Sequence, residues 1–80
     1  MKRFPRLDAN QNSIVAQLRC IPGVSVHSTA SIGGGFPDLI VGYQGTNYLF
    51  EIKDGSKPPS KQLLTAMEER FFDCWNGQVA

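Results

Sequence analysis

The sequence predicts a small α/β domain: a mixed central β-sheet flanked by helices, in the order αβββα with a further strand beginning at the end (αβββαβ). Three observations predict it. Apolar residues recur at helical spacing near the start of the chain and again near its end. Between them lie one alternating segment and two runs rich in β-branched and aromatic residues. Gly- or Pro-containing stretches separate most of these segments.

From Asp8 to Ile21, Ile14, Val15, Leu18 and Ile21 recur at three and four residues, so this segment is expected to be an amphipathic helix. Asp8 is its expected N-cap, and Pro22-Gly23 stops it. Val24 to Ser28 alternates and reads as a short strand. In Ser31-Ile-Gly-Gly-Gly35, three consecutive glycines let the backbone bend freely or come close to another group. Leu39–Tyr43 and Tyr48–Lys53 are expected to pair as a hairpin around a turn at Gln44-Gly-Thr-Asn47. Two prolines make Asp54–Ser60 a loop. Thr65-Ala-Met-Glu68 has capping-box spacing and opens a second helix, whose apolar face is Met67, Phe71, Phe72 and Trp75. Asn76-Gly77 ends that helix, and Gln78-Val-Ala80 reads as the start of another strand.

Eighty residues bury a thin core and make one domain, residues 1–80. With 41% hydrophobic and 19% charged residues and no low-complexity tract, the composition is that of a folded protein. No apolar run approaches the roughly 18 residues of a membrane span, and no signal peptide is recognisable at the start, so no membrane partner and a cytoplasmic location are expected. Cys20 and Cys74 show no metal-type spacing and are expected to be reduced, partly buried thiols. A net charge of +1 does not by itself advertise nucleic-acid binding. A polyanion would have to be held by local patches or through metal ions.

The hairpin gathers charge at its open end. If the turn occupies Gln44–Asn47, Asp38 lies opposite Lys53 and Ile40 opposite Glu51. Side chains alternate along a strand, so Asp38, Ile40, Leu49, Glu51 and Lys53 share one face, with Leu39, Val41, Tyr43, Tyr48, Phe50 and Ile52 on the other. Two convergent carboxylates suit a hard divalent cation such as Mg²⁺, which takes oxygen ligands. Such a cation lowers the pKa of a bound water and neutralises charge on a phosphoryl oxygen, and an adjacent lysine orients the water and stabilises the transition state. The same spacing also describes a surface ion pair, worth about 0.2–1 kcal/mol.

Pro37-Asp38, then twelve residues, then Glu51-Ile52-Lys53 resembles the motif of the PD-(D/E)xK nuclease superfamily. More narrowly, "GGGFPDLIVG", "YLFEIKDGSKPPS" and "LTAMEERFFDCWNGQVA" resemble the small stand-alone, phage-type VRR-NUC nucleases, close to the Holliday-junction resolvases, over Asp8 to Ala80. The resemblance implies a restriction-endonuclease-like fold and a Mg²⁺- or Mn²⁺-dependent endonuclease. In it Asp38 and Glu51 are the metal-binding carboxylates, the Ile52 carbonyl is a further ligand, and Lys53 is the catalytic lysine. The family often adds an acidic or amide residue from the first helix. Gln11 matches that position, with Asp8 about one turn earlier as an alternative.

Related resolvases often place a basic residue where His27 stands, on the strand before the Gly-rich loop. A lone histidine on a strand is more often an ordinary hydrogen-bonded or half-exposed residue. Gly34 and Gly35 are candidates for close approach to nucleic acid, and Lys57 and Lys61, which flank Pro58-Pro59, for phosphate contacts. The expected function is a metal-dependent DNA endonuclease acting on branched or structured DNA as a two-fold homodimer. Its rivals are a nicking or restriction-type nuclease on linear duplex, and a non-catalytic DNA-binding protein of the same fold.

Overall fold

The computed structural model of the chain describes residues 9–53, 56–59 and 63–80. Helix α1 (Ala9–Arg19) is followed by β1 (Val24–Ser28), β2 (Leu39–Tyr43), β3 (Thr46–Phe50) and helix α2 (Ala66–Cys74). The expected N-cap Asp8 lies outside the described residues. Helix α1 ends two residues before Ile21, because the amides of Cys20 and Ile21 bond back to the carbonyls of Gln17 and Leu18, a tightened last turn of three-residue bonds. Gly23, at φ 80°, then turns the chain into β1.

The three strands form a sheet in the order β1-β2-β3, antiparallel throughout. The hairpin turn is shorter than expected. Gln44 and Gly45 alone form it, at φ 49° and 78°, and positive φ at both central residues marks the type I′ turn whose twist matches that of the flanking strands. Pairing therefore starts at Tyr43 with Thr46, and every β2 residue meets a partner two positions earlier than a four-residue turn predicts. The face assignments survive, because a shift of two leaves a period of two unchanged. What changes is the pairing at the open end, where Lys53 is no longer the residue across from Asp38.

Helix α1 lies against β1, and on that side of the sheet Leu18 and Ile21 line an apolar depression together with Val24, Val41, Tyr48 and Phe50. Leu39 and Val41 are buried there. The opposite face presents Ile40 and Leu49, and Leu49 is buried beneath Phe36 and Trp75. Helix α2 reaches this face through an aromatic cluster. Phe36 stands edge-on to Phe71 and Trp75, with ring centroids 5.3 and 6.3 Å away, and Phe71 stacks on Trp75 at 4.9 Å. The apolar stripe expected on this helix is thus divided: Phe71 and Trp75 join the cluster, Trp75 while still 43% exposed, whereas Met67 is exposed. Cys20 and Cys74 are free thiols, as expected, but both are exposed and not partly buried.

The outer edge of β3 is covered by the end of the chain. The Gln78 amide accepts from the Leu49 N–H at 2.7 Å and donates to the Leu49 carbonyl at 3.2 Å, so one side chain stands in for a neighbouring strand. The Ala80 N–H also bonds to the Leu49 carbonyl, and the Glu51 N–H to the Ala80 carbonyl at 2.7 Å. Bonds given and taken by one residue on either side of Phe50 are the pattern of parallel pairing. This is the sole sign, among the described residues, of the mixed sheet that the sequence predicts. Gln78→Ala is expected to destabilise the domain by about 1–2 kcal/mol, because it leaves the part-buried Leu49 N–H without its acceptor, whereas the Leu49 carbonyl keeps its bond from the Ala80 N–H. Urea unfolding measures this, and a loss below about 0.3 kcal/mol would show that water replaces the amide. No helix among the described residues is long and apolar enough to cross a membrane.

Candidate active site

One step beyond the last strand pair, Leu39 with Phe50, the register sets Asp38 opposite Glu51. Asp38 is held from both sides. Its carbonyl accepts from the Thr29 N–H at 2.8 Å, and its carboxylate Oδ2 accepts from the Ile52 N–H at 2.9 Å. Thr29, itself buried, donates its hydroxyl to the neighbouring Pro37 carbonyl. Strand β3 ends at Phe50, three residues before the expected Lys53, because the Asp38 side chain replaces a backbone carbonyl as the acceptor for Ile52. The acidic side chain itself closes the open end of the hairpin.

Glu51 and Lys53 project to the same side, two residues apart. The Glu51 side chain is only 4% exposed, and its Oε2 is buried with no hydrogen-bond partner. Lys53 Nζ lies 3.7 Å from Glu51 Oε1 and 2.8 Å from Glu68 Oε1. Glu68 is the residue that sequence reasoning assigned only to a helix cap. That cap is present, with the Thr65 hydroxyl accepting from the Glu68 N–H at 3.2 Å and Glu68 Oε1 accepting from the Thr65 N–H at 2.8 Å. Glu68 therefore serves the helix and the lysine through one oxygen atom. Lys53 and Glu68 stand fifteen residues apart in the chain, and no local pattern announces the pair.

Burial, the hydrogen bond to Glu68 and the negative charges of Asp38 and Glu68 push the Glu51 carboxyl up to about 9, against the opposing charge of Lys53. Burial alone would raise Glu68 too. It is overcome by hydrogen bonds from Glu51, Lys53 and the Thr65 backbone and by the Lys53 charge, which bring the Glu68 carboxyl down to about 2. Lys53 is desolvated, which works against its charge, yet its hydrogen bond to Glu68 and the charges of Glu68, Glu51 and Asp38 raise it overall. At neutral pH the cluster thus holds a protonated Glu51, an ionised Glu68 and an ammonium at Lys53.

The remaining expected site residues are dispersed. Gln11 is buried, and its amide donates to Ser28 Oγ at 3.4 Å. Ser28 pairs with Leu39, so this contact belongs to the α1 face of the sheet and not to the face of Asp38 and Glu51. His27 is exposed and pairs with Ile40, which puts it on the Asp38 face, further along β1. Gly34 has open space where a side chain would stand. Gly35, at φ 83°, is packed so that an added Cβ would overlap the Met67 carbonyl and come within 2.9 Å of the Glu68 amide nitrogen. The third glycine of the loop therefore seats the first turn of α2 over the site. Lys57 is exposed, and Lys61 lies outside the described residues.

Among the described residues, no group of three or more His, Cys, Asp or Glu side chains forms a metal-holding cluster. The candidate donors are the two carboxylates of Asp38 and Glu51, with the Ile52 carbonyl added by the resemblance. The unpartnered, buried Oε2 of Glu51 fits a cation ligand, since a buried oxygen without a donor is otherwise unfavourable. Compared with known proteins, the chain matches no family model, no curated protein and no solved structure.

Proposed function

We propose that the domain is a metal-dependent DNA endonuclease of the PD-(D/E)xK type, similar to the small VRR-NUC nucleases. The observation that carries the reading is the convergence of Asp38, Glu51 and Lys53 at one end of the hairpin, with a buried Glu51 oxygen that has no donor. With Asp38, Glu51 and Glu68 ionised, these groups and Lys53 sum to two negative charges, which one divalent cation offsets.

Asp38 and Glu51 would hold Mg²⁺ or Mn²⁺, with the Ile52 carbonyl as a further ligand. When bound, the cation supplies Lewis acidity and charge neutralisation at phosphorus. Asp38 is locked by the Ile52 N–H and keeps its place when the charge arrives. Glu51 must give up its proton to serve as a ligand, so its contact with Glu68 is the one that changes. Lys53 keeps its ammonium, 3.7 Å from Glu51 Oε1, and would orient a water or meet a phosphate oxygen. Branched or structured DNA is the proposed substrate. A two-fold homodimer would set two such sites in opposed orientations.

The Lys53–Glu68 pair at 2.8 Å favours one other reading, a purely structural cluster that ties α2 to the hairpin in a non-catalytic DNA-binding protein. Incubating the protein with plasmid and with a synthetic four-way junction, each with Mg²⁺, Mn²⁺ or chelator, separates the two. The expected result is cation-dependent cleavage that Asp38→Asn and Lys53→Ala each reduce at least about 10²-fold with DNA binding retained. Full activity in either variant, or no cleavage by the wild type under any condition, would leave the structural reading.

A further inference from the structure

We propose that Glu68 is a positioning residue for Lys53, and that the docked first turn of α2, rather than β3, sets the place of the lysine in the site. This deepens the nuclease reading and rests on it for what Lys53 does, though not for where Lys53 is held.

A lysine side chain is a long flexible stem ending in a point charge, and preorganising it requires an anchor. The ladder cannot be that anchor, because β3 ends at Phe50. Glu51 is the poorer partner, with its oxygen 3.7 Å away against 2.8 Å for Glu68 Oε1. The Glu68 carboxylate is itself immobilised. Its Oε1 accepts from the Thr65 N–H, the Glu68 amide donates to the Thr65 hydroxyl, and Gly35 allows the loop backbone to abut the same turn. A capping box alone would leave the carboxylate facing solvent beyond the helix. Here it is 17% exposed and turned onto Lys53, whose own side chain is 27% exposed. The lysine is thus fixed by a carboxylate that is fixed by a helix cap.

Three variants separate positioning from capping. Glu68→Gln keeps an oxygen acceptor for the cap and removes the charge, Glu68→Ala removes both, and Thr65→Ala damages the cap while leaving the Glu68 carboxylate. The first readout, in chelator, is the rate at which Lys53 is acetylated by trace acetic anhydride, followed by mass spectrometry. The second is the separation of kcat, KM for DNA and half-saturating Mg²⁺ in cleavage. Lys53 labelling is expected to rise several-fold in both Glu68 variants and by distinctly less in Thr65→Ala, which loses the hydroxyl but keeps the Thr65 N–H that holds Glu68 Oε1. In the Glu68 variants kcat is expected to fall about 10–100-fold, as for a catalytic group displaced by about an ångström, with KM and the Mg²⁺ requirement unchanged. Unchanged labelling in Glu68→Gln, an equal rise in Thr65→Ala, or unchanged kcat in an active enzyme would overturn the proposal. A raised Mg²⁺ requirement at unchanged kcat would also overturn it and make Glu68 a metal ligand. If the wild type cleaves no DNA, the nuclease reading fails, and labelling alone decides whether Glu68 holds Lys53.

Discussion

Glu51→Gln is expected to abolish cation-dependent cleavage and, in the same protein, to raise the stability of the cation-free fold at alkaline pH. The first effect follows from the loss of a carboxylate ligand, which the substitution replaces with a neutral amide, and a fall of at least about 10²–10³ in rate is expected. The second follows from the state of Glu51 in the fold. Its carboxyl stands at about 9 when folded, against an ordinary value of 4.5. Between those values the folded protein binds more protons than the unfolded chain, so stability falls as pH rises through the window. Below about 4.5 this contribution is fully present. The amide of the Glu51→Gln variant stays neutral throughout and does not lose it. The two proteins should therefore unfold alike near pH 4.5 and diverge by at least about 1 kcal/mol at pH 8, or ~4–8 °C in Tm for a domain of this size.

Glu68 works in the opposite direction. Its folded value of about 2 lies below 4.5, so its contribution is present above 4.5 and is lost as pH falls toward 2. Thermal unfolding in chelator between pH 3 and 9, for wild type, Glu51→Gln and Glu68→Gln, measures both arms. Parallel curves for wild type and Glu51→Gln up to pH 8 would mean that Glu51 is ionised in the fold.

Gly35→Ala is expected to be the most damaging substitution in the Gly-rich loop. Positive φ alone costs an alanine about 1–2 kcal/mol, and this applies at Gly33, Gly34 and Gly35 alike. At Gly33 and Gly34 nothing lies within 4 Å of an added Cβ. At Gly35 the methyl group would meet the Met67 carbonyl and the Glu68 amide, both backbone atoms that no rotamer change can move aside. The first turn of α2 has to shift, and the total is expected to exceed about 3 kcal/mol. Because that turn carries Glu68, the Lys53–Glu68 pair should open with it. Urea unfolding of the three glycine variants gives the comparison, and a Gly35→Ala protein no less stable than Gly34→Ala would show that the helix is not seated on the loop.

The glycine row was legible in the sequence as a place of close approach, but what approached it was not. Among the described contacts Gly35 meets the backbone of α2, a neighbour that the glycines themselves do not announce. The first helix shows the same limit. Gln11 is a site candidate only through the resemblance, and its amide is bonded to Ser28, because the partner of a buried helix residue depends on how the helix lies across the sheet. Local signals carried further. The Thr65–Glu68 box formed as its spacing predicts, since every atom in it belongs to one turn of helix.

Which side chains share a face of the hairpin follows from the sequence alone, and with it the convergence of Asp38, Glu51 and Lys53. That result needs only a period of two, and it withstood a two-residue error in the turn. Turn geometry and packing between elements set the rest. The two-residue turn put Glu51, not Lys53, across from Asp38, and the docking of α2 brought Glu68 to within 2.8 Å of Lys53. Register depends on the φ values available at Gln44 and Gly45, and helix placement on an aromatic cluster drawn from Phe36, Phe71 and Trp75. Spacing along a chain fixes direction within an element, whereas the distance between elements is set by packing among residues that the sequence keeps far apart.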